Sequence, residues 1–546
     1  MHRIASTFAL LFLMAFSIST SYAQSKQRDR NEEFWNRFET ELDRFIGRIT
    51  GDYPEDSLFT TDARDLPDSP RADAKRFVGS TVINPQDTIH GDVYVRDGDL
   101  TLLGTVYGDV QGERSTVILK DGAMVTGNVR VSDGDIIRDD GATVLGSLDW
   151  VRGGFREPGT RNKPPERAFR SPWIEENTTL SHAIFRYNRV EGLFLGLGSE
   201  KRYYWDGRKD FSPYGSIGYG FISHRWRGNI GLSRQFALGS PGDDRLFEIG
   251  VEGYSLTDTK DQWRIKAAEN TAAALLLRED FRDYFGREGF TAHTAYYMQS
   301  RELFAEAMVG YRADRYETLD QNADWSLFGG HKVFRLNPPI DEGRMRSIFA
   351  LIGASTTSEQ QRVPHGWSVH ANAEFANAGS FGGDFTFQQV VADVRRYQPI
   401  GRYDNLNLRM RLGTSHGSLP EQRTFDLGGL GSLPGFPFKE FAGGNRMILL
   451  NAEYSVYGDI LGDLDFWPSW LMRHMNLLVL GDAGLVRSAS ESSSWLDGFS
   501  GITWNEFKSD VGVGVANRSG SVRVAVMWRT DQSGSPRFVL RVAAPF

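Results

Sequence analysis

Cysteine is missing from all 546 residues. Its absence excludes a disulfide framework, a thiolate zinc site, a thiol nucleophile and an acylated N-terminal cysteine. Proline is sparse, 20 residues against 59 glycines, while aromatics make up 12%. That balance suits strands joined by tight turns better than helices. Positive charge is in deficit, with 62 Lys and Arg against 70 Asp and Glu. A net charge of −8 leaves no basic footprint for nucleic acid. Long apolar runs are scarce too. Beyond the N-terminus the longest are 272–277 and 477–480, far below the roughly 18 residues of a membrane helix. A mean hydropathy of −0.40 argues against a polytopic helical membrane protein. It leaves room for a transmembrane β-barrel, whose strands are apolar on one face only.

Common catalytic signatures are also missing. The histidines are scattered, and His365 and His370 lack the four-residue spacing of a helical zinc pair. No Gly-x-Ser-x-Gly elbow, Walker loop or Rossmann fingerprint occurs. The expectation is a protein that is not an enzyme and that uses no cofactor and no metal.

The first 23 residues have a short positive region at Arg3, an apolar stretch over 8–18 and Ser21-Tyr22-Ala23 at a cleavage site. They read as a secretory signal peptide removed after Ala23, so the mature protein is expected to be exported without a helical anchor. Residues 31–50 follow with Phe34, Trp35, Phe38, Leu42, Phe45, Ile46 and Ile49 at helical spacing. This amphipathic helix is expected to cover one end of the next domain; the alternative is docking to a partner or to the inner membrane leaflet. Residues 51–78, rich in Asp, Pro and Ser, read as a linker.

Residues 79–152 contain an internal repeat. Gly104-Thr-Val-Tyr-Gly108-Asp-Val110 is echoed from Gly122 to Val129 and from Gly141 to Leu148, and a degenerate copy begins at Gly91. Gly108, Gly127 and Gly146 are each 19 residues apart. Short β-branched pairs punctuated by glycine predict a solenoid of three short strands per coil. Val93, Val95, Val106, Val110, Val125, Val129, Val131, Val144 and Leu148 should stack inward, with Asp-Gly pairs at the corners. The triplets 97–99 and 133–135 (Asp-Gly-Asp) read as turns, since the full repeat of a calcium β-roll is lacking. The units resemble the polymer-forming bactofilin-type β-helix, which implies self-association. A second linker, 153–178, contains Pro158, Pro164 and Pro165.

From 179 to 546 the pattern becomes one of alternating strands. Val522, Val524, Val526 and Trp528 oppose Arg523, Ala525, Met527 and Arg529. Ile448, Leu450, Ala452, Tyr454 and Val456 oppose Met447, Leu449, Asn451, Glu453 and Ser455. At the terminus Phe538, Leu540, Val542, Ala544 and Phe546 share one side, which reads as a C-terminal barrel signal. One apolar and one polar or small face predicts a mainly β protein ending in a transmembrane antiparallel barrel of about 16 strands. Residues 261–285, rich in Ala, Leu and charge, break the pattern and read as a loop helix or as an unusual strand.

Near the C-terminus, Phe425-Asp-Leu-Gly-Gly429 leads to Gly431-Ser-Leu-Pro-Gly-Phe436. Gly443-Gly-Asn-Arg446, the strand 448–454, Gly481-Asp-Ala-Gly484 and a terminal Phe546 follow. This order resembles the barrel of the bacterial surface-antigen superfamily, which holds barrel-assembly and two-partner secretion proteins. Residues 185–194 look like the opening strand of such barrels. The resemblance implies an outer-membrane location with the N-terminal portion in the periplasm. It also implies client outer-membrane or surface proteins, and a loop folded into the lumen with an Arg-Gly-Phe/Tyr tip. Carried over, Gly428 and Gly429 open the loop, Pro434, Gly435 and Phe436 form its tip, and Glu453 and Asp482 are the wall acids. Pro434 replaces the family's arginine, and Lys439 or Arg446 is expected to supply the missing cation. The family's α/β substrate-receiving domains are not discernible in 24–178. Three roles follow: assembly or translocation of other proteins, an anchor whose β-helix self-associates or grips the cell wall, or a passive pore.

Overall fold

A computed structural model describes residues 74–151 and 179–542 apart from short gaps, the longest being 205–210, 357–364 and 459–474. The expected signal peptide, amphipathic helix, second linker and Phe546 lie outside the described residues.

The repeats build a β-solenoid with three parallel faces. One face stacks Lys75–Val78, Val93–Arg96, Val110–Glu113, Val129–Ser132 and Leu148–Val151. Lys75 faces Val93, Val93 faces Val110, Val110 faces Val129 and Val129 faces Leu148, a coil of 17 to 19 residues. The strand Lys75–Val78 belongs to the solenoid, because it already pairs with Val93–Arg96. All nine residues expected to stack inward join one apolar cluster, with Val144 and Leu148 half-buried in the last coil. The corners explain the rest of the motif. Asp92 accepts the Asp109 N–H (2.9 Å), Asp109 accepts that of Asn128 (2.8 Å), and Asn128 accepts that of Ser147 (2.9 Å). Each side chain replaces a backbone acceptor at the bend. The glycines stack so closely that a Cβ on Gly127 would meet the Gly108 oxygen at 2.5 Å. In the first acidic triplet Asp99 accepts the Thr116 N–H (3.2 Å), as a turn residue does.

From 179 onward one antiparallel sheet contains seventeen strands, the first a two-residue stub, Thr179–Leu180. The other sixteen form the wall. They are β1 (Ala183–Asn188), β2 (Gly192–Ser199), β3 (Phe211–Gly220), β4 (Arg225–Ala237), β5 (Asp244–Thr259) and β6 (Tyr284–Gln299). Then come β7 (Phe304–Thr318), β8 (Gly343–Ser355), β9 (Gly366–Ala376), β10 (Phe387–Pro399) and β11 (Asp404–Gly417). The last are β12 (Arg446–Val456), β13 (Met475–Arg487), β14 (Lys508–Asn517), β15 (Val522–Arg529) and β16 (Arg537–Val542). An even count returns the C-terminus to the rim where β1 begins. The pattern-breaking stretch resolves as a loop carrying α1 (Ala267–Leu277) between β5 and β6.

The wall is inside out. Leu197, Ile217 and Ile230 point outward and are exposed, whereas Arg287, Arg312, Glu248 and Asp393 point inward and are buried. Such a wall is stable only with apolar medium outside and a closed hydrogen-bonded sheet. The alternation read from β12 holds, with Met447, Leu449, Asn451, Glu453 and Ser455 all buried in the lumen.

Candidate functional site in the barrel lumen

Between β11 and β12 the chain folds back into the barrel. Its base is fixed by Arg423, whose Nε donates to Glu374 (3.0 Å) and whose Nη2 donates to the Tyr316 hydroxyl (2.9 Å). A short ribbon follows, Phe425–Leu427 paired with Phe441–Gly444. Within it Gly428, Gly429 and Gly431 all take positive φ. At Gly431 a Cβ would sit 2.4 Å from the Arg264 carbonyl oxygen, so the approach to the α1 loop requires glycine.

The tip rests on a row of polar wall residues. Asn451, Asp482 and Asp510 are successive partners across β12, β13 and β14. Asn451 Nδ2 donates to Asp482 (2.6 Å) and to the Ser432 carbonyl (2.9 Å). The Gly435 N–H donates to Asp510 (2.6 Å). A Cβ at Gly435 would lie 2.7 Å from that of Asp510, so glycine is needed here as well. Phe436 is fully buried, meets Phe441 edge-on (5.3 Å between centroids) and lies under the Arg529 guanidinium (4.2 Å). Pro434 is half-buried beside it.

The two candidate cations do other work than supplying the wall acids. Glu453 is paired with Arg523 of β15 (2.7 Å) and accepts from Asn407 and Ser455. Asp482 is met by Asn451. Arg446 is buried at the start of β12 and donates to the carbonyls of Ser415, Asn445, Ser494 and Asp497. Lys439 reaches acids of the inner loops, Asp261 (2.8 Å), Asp283 (2.7 Å) and Asp426 (3.4 Å). Its φ of 53° is unusual for a residue with a Cβ, and three carboxylates hold it there. The reason is topological: the side chain leaves the ribbon toward the loop preceding β6, away from β12 and β13.

Asp426 is the centre of this cluster. It pairs with Lys260 (3.0 Å), with Lys439 and, very closely, with Arg264. Burial alone raises its pKa, but Lys439, Lys260 and Arg264 together hold it well below the usual carboxylate range. Burial likewise opposes ionisation of Asp283, and Lys439, Arg335 and Arg189 outweigh it. Burial lowers the Lys439 pKa, yet Asp261, Asp426 and Asp283 raise it above the ordinary value. The loop is clamped by charge at its base and by hydrogen bonds at its tip.

Asp510, Asp261, Asp283 and Arg264 were missed by sequence reasoning, whereas Asn451 was placed on the polar face of its strand. Asp510 was recoverable, since Asp510-Val-Gly-Val-Gly-Val515 alternates and puts it on the lumen face. The inner-loop acids carry no such signal. Of the terminal-strand residues, Phe538 and Leu540 face outward and exposed, and Val542 closes the described strand.

Residues 171–352 match the C-terminal domain of a family of unknown function, DUF5686, and residues 352–526 match the Omp85 superfamily domain. No curated protein matches the chain significantly. Among solved structures, BamA from Haemophilus ducreyi lacking POTRA domains 1–3 aligns at 13% identity over 65% of this chain and 67% of that one, with a TM-score of 0.38. CdiB from Acinetobacter baumannii aligns at 12% identity, covering 63% of this chain and 54% of that one, TM-score 0.31. CdiB from Escherichia coli aligns at 12% identity over 66% and 60%, TM-score 0.32. The chain therefore spans less than two thirds of either CdiB. Residues 352–526, which are similar to the Omp85 superfamily domain, supply the inward loop and the wall under its tip.

Proposed function

We propose that this barrel assists the assembly or translocation of outer-membrane or surface proteins, with its N-terminal solenoid in the periplasm. The observation that carries the reading is the loop 425–441, docked by Gly435 on Asp510 and by Ser432 on Asn451 inside an Omp85 superfamily domain. In this reading Gly428, Gly429, Pro434, Gly435 and Phe436 brace the lumen against β12–β14, Glu453 and Asp482 line the wall, and Lys439 locks the loop base. The inward loop, with Phe436 buried at its tip, disfavours a passive pore. Clients would be unfolded or partly folded polypeptides, and the lipid partner is the outer membrane itself.

The test is the outer-membrane proteome after depletion of the protein. A joint fall of several other barrels or surface proteins supports assembly or translocation. An unchanged proteome with weakened envelope integrity replaces it with an anchoring role. The solenoid bears on that second reading, because its coils stack parallel strands in register and the end strand of such a stack is a template for self-association.

A further inference from the structure

Helix α1 starts in buried surroundings with its first N–H groups open. Ala267, Ala268 and Glu269 are buried, and Lys266 at the N-cap has no side-chain oxygen to offer them. Among the described residues no acceptor meets their backbone N–H groups. Such groups carry the positive end of the helix dipole and, away from water, need an acceptor.

Beside them lies Arg282, only 1% exposed. Its backbone is fixed on both sides, the N–H donating to Asp280 (3.1 Å) and the carbonyl accepting from Arg335 (3.3 Å). Its Nη2 donates to the carbonyl of Ile265, the residue before the N-cap, which puts the guanidinium at the mouth of the helix. Nε and Nη1 are buried without a partner. No carboxylate among the described residues pairs with this cation, because the acids of the same loop are committed elsewhere. Asp261 is held by Arg264 and Lys439, and Asp280 by Arg189. Asp283 is held by Arg189, Arg335 and Lys439.

The oxygens that would repel an anion here are covered as well. The Arg264 carbonyl accepts from Arg541 Nη2 (3.2 Å) and the Ile265 carbonyl from Arg282. Glu269 is turned away to the Arg541 guanidinium (2.8 Å) and the Val542 N–H (2.9 Å). Donors alone remain at this end of α1. A buried guanidinium without a counter-ion is costly, and a helix N-terminus beside it offers the N–H groups that oxyanions bind.

We propose that the N-terminus of α1 and Arg282 form a binding site for a small oxyanion, of phosphate or carboxylate chemistry. The anion supplies the counter-charge of Arg282 and the acceptor of the first helical turn. It thereby joins the segment after α1 to the start of the helix and closes the loop between β5 and β6 on itself. The site goes beyond the assembly reading and does not depend on it, so either can fail alone.

The test is equilibrium dialysis of the full chain, folded in a maltoside detergent and Tris chloride, against labelled inorganic phosphate at constant ionic strength. One saturable site per barrel is expected. Arg282→Met should weaken binding by about tenfold or more, the loss of a charge-assisted hydrogen bond. Arg344→Met, which removes an exposed arginine of β8, should leave it unchanged. Should Arg282→Met fail to fold, Ala267→Pro replaces it, since proline at the first helical position removes one N–H and keeps the helix. Displacement of phosphate by equimolar acetate assigns the site to carboxylates, and resistance to acetate assigns it to phosphates. Absence of saturable binding in the parent overturns the site, with water alone then meeting Arg282. Equal affinity in the Arg282→Met or Ala267→Pro variant overturns it too, as does an equal loss in Arg344→Met.

Discussion

The solenoid is built from strands of two to four residues and the barrel wall from strands of six to sixteen, and the two regions bury opposite chemistry. In the solenoid, Val93, Leu100, Val110, Val117 and Val129 are fully buried in an apolar stack. In the barrel the largest fully buried side chains include Arg189, Arg282, Arg287, Arg312 and Arg446. A narrow coil has no room for water or for paired charges, so only packed methyl groups stabilise it. A sixteen-strand wall encloses more space than wall side chains alone fill, and inward loops, ion pairs and hydrogen bonds occupy it. The same alternation therefore specifies a dry core in one region and a charged core in the other, depending on what lies outside.

The comparison is broken most severely by moving the barrel's chemistry into the solenoid. Val110→Asp places an unpaired carboxylate in the stack, and the expected cost is on the order of 5 kcal/mol. Limited proteolysis should then cut within 74–151, while the barrel keeps its heat-modifiable gel mobility. The converse exchange, Arg523→Met, strands Glu453 in the lumen and should cost about 3–5 kcal/mol of barrel stability. Adding Glu453→Gln to that variant should restore much of the loss in thermal unfolding. If it does not, the pair is not what Arg523 contributes.

A smaller effect is expected at the loop base. Lys439→Met removes one cation from three buried acids, and a loss of about 2–3 kcal/mol should show as protease access to 425–441. The same clamp makes loop docking sensitive to pH in a defined direction. Asp426 and Asp283 have folded pKa values below their unfolded ones, so their contribution is present above about pH 4 and fades as pH falls through the folded values. Lys439 is raised, so its contribution is present below about pH 10 and is lost only in stronger alkali. Protease access to the loop should rise as the pH falls below about 4. A rise across neutrality would assign the clamp to other groups.

What the sequence reveals follows from these two interiors. Solenoid coils repeat, so Gly108, Gly127 and Gly146 announce their spacing and the inward valines follow from it. Barrel strands alternate, so the wall, its inner face and its approximate strand number are legible from β12 and β15. The lumen contents are not periodic. Lys439 meets Asp261 and Asp283 across separations of 178 and 156 residues, and Glu269 meets Arg541 across 272. Local pattern carries nothing about such pairs. The loop's resemblance pointed to the lumen wall but not to the acids of neighbouring loops. Residues 261–285 resisted assignment for a related reason. Their helix is buried through Ala267, Ala268 and Ala274 beside Glu269, Asn270 and Thr271, so no clean apolar stripe marks it.

One pair of substitutions, whose outer-wall member has the smallest expected effect, separates the two regions most sharply, because the chemistry is held constant. Leu102→Ala in the solenoid leaves a hole that its packed coils cannot close, and about 2–5 kcal/mol should be lost. Leu197→Ala on β2 removes the same atoms from an outward position that is 66% exposed. Lipid chains are fluid and fill the space, so no cavity term arises, and the cost should stay under about 1 kcal/mol. Thermal unfolding of both variants in the same detergent or bilayer makes the comparison. Equal losses would mean that Leu197 packs against protein, and the outer wall would then be a contact surface for another chain in place of a lipid face.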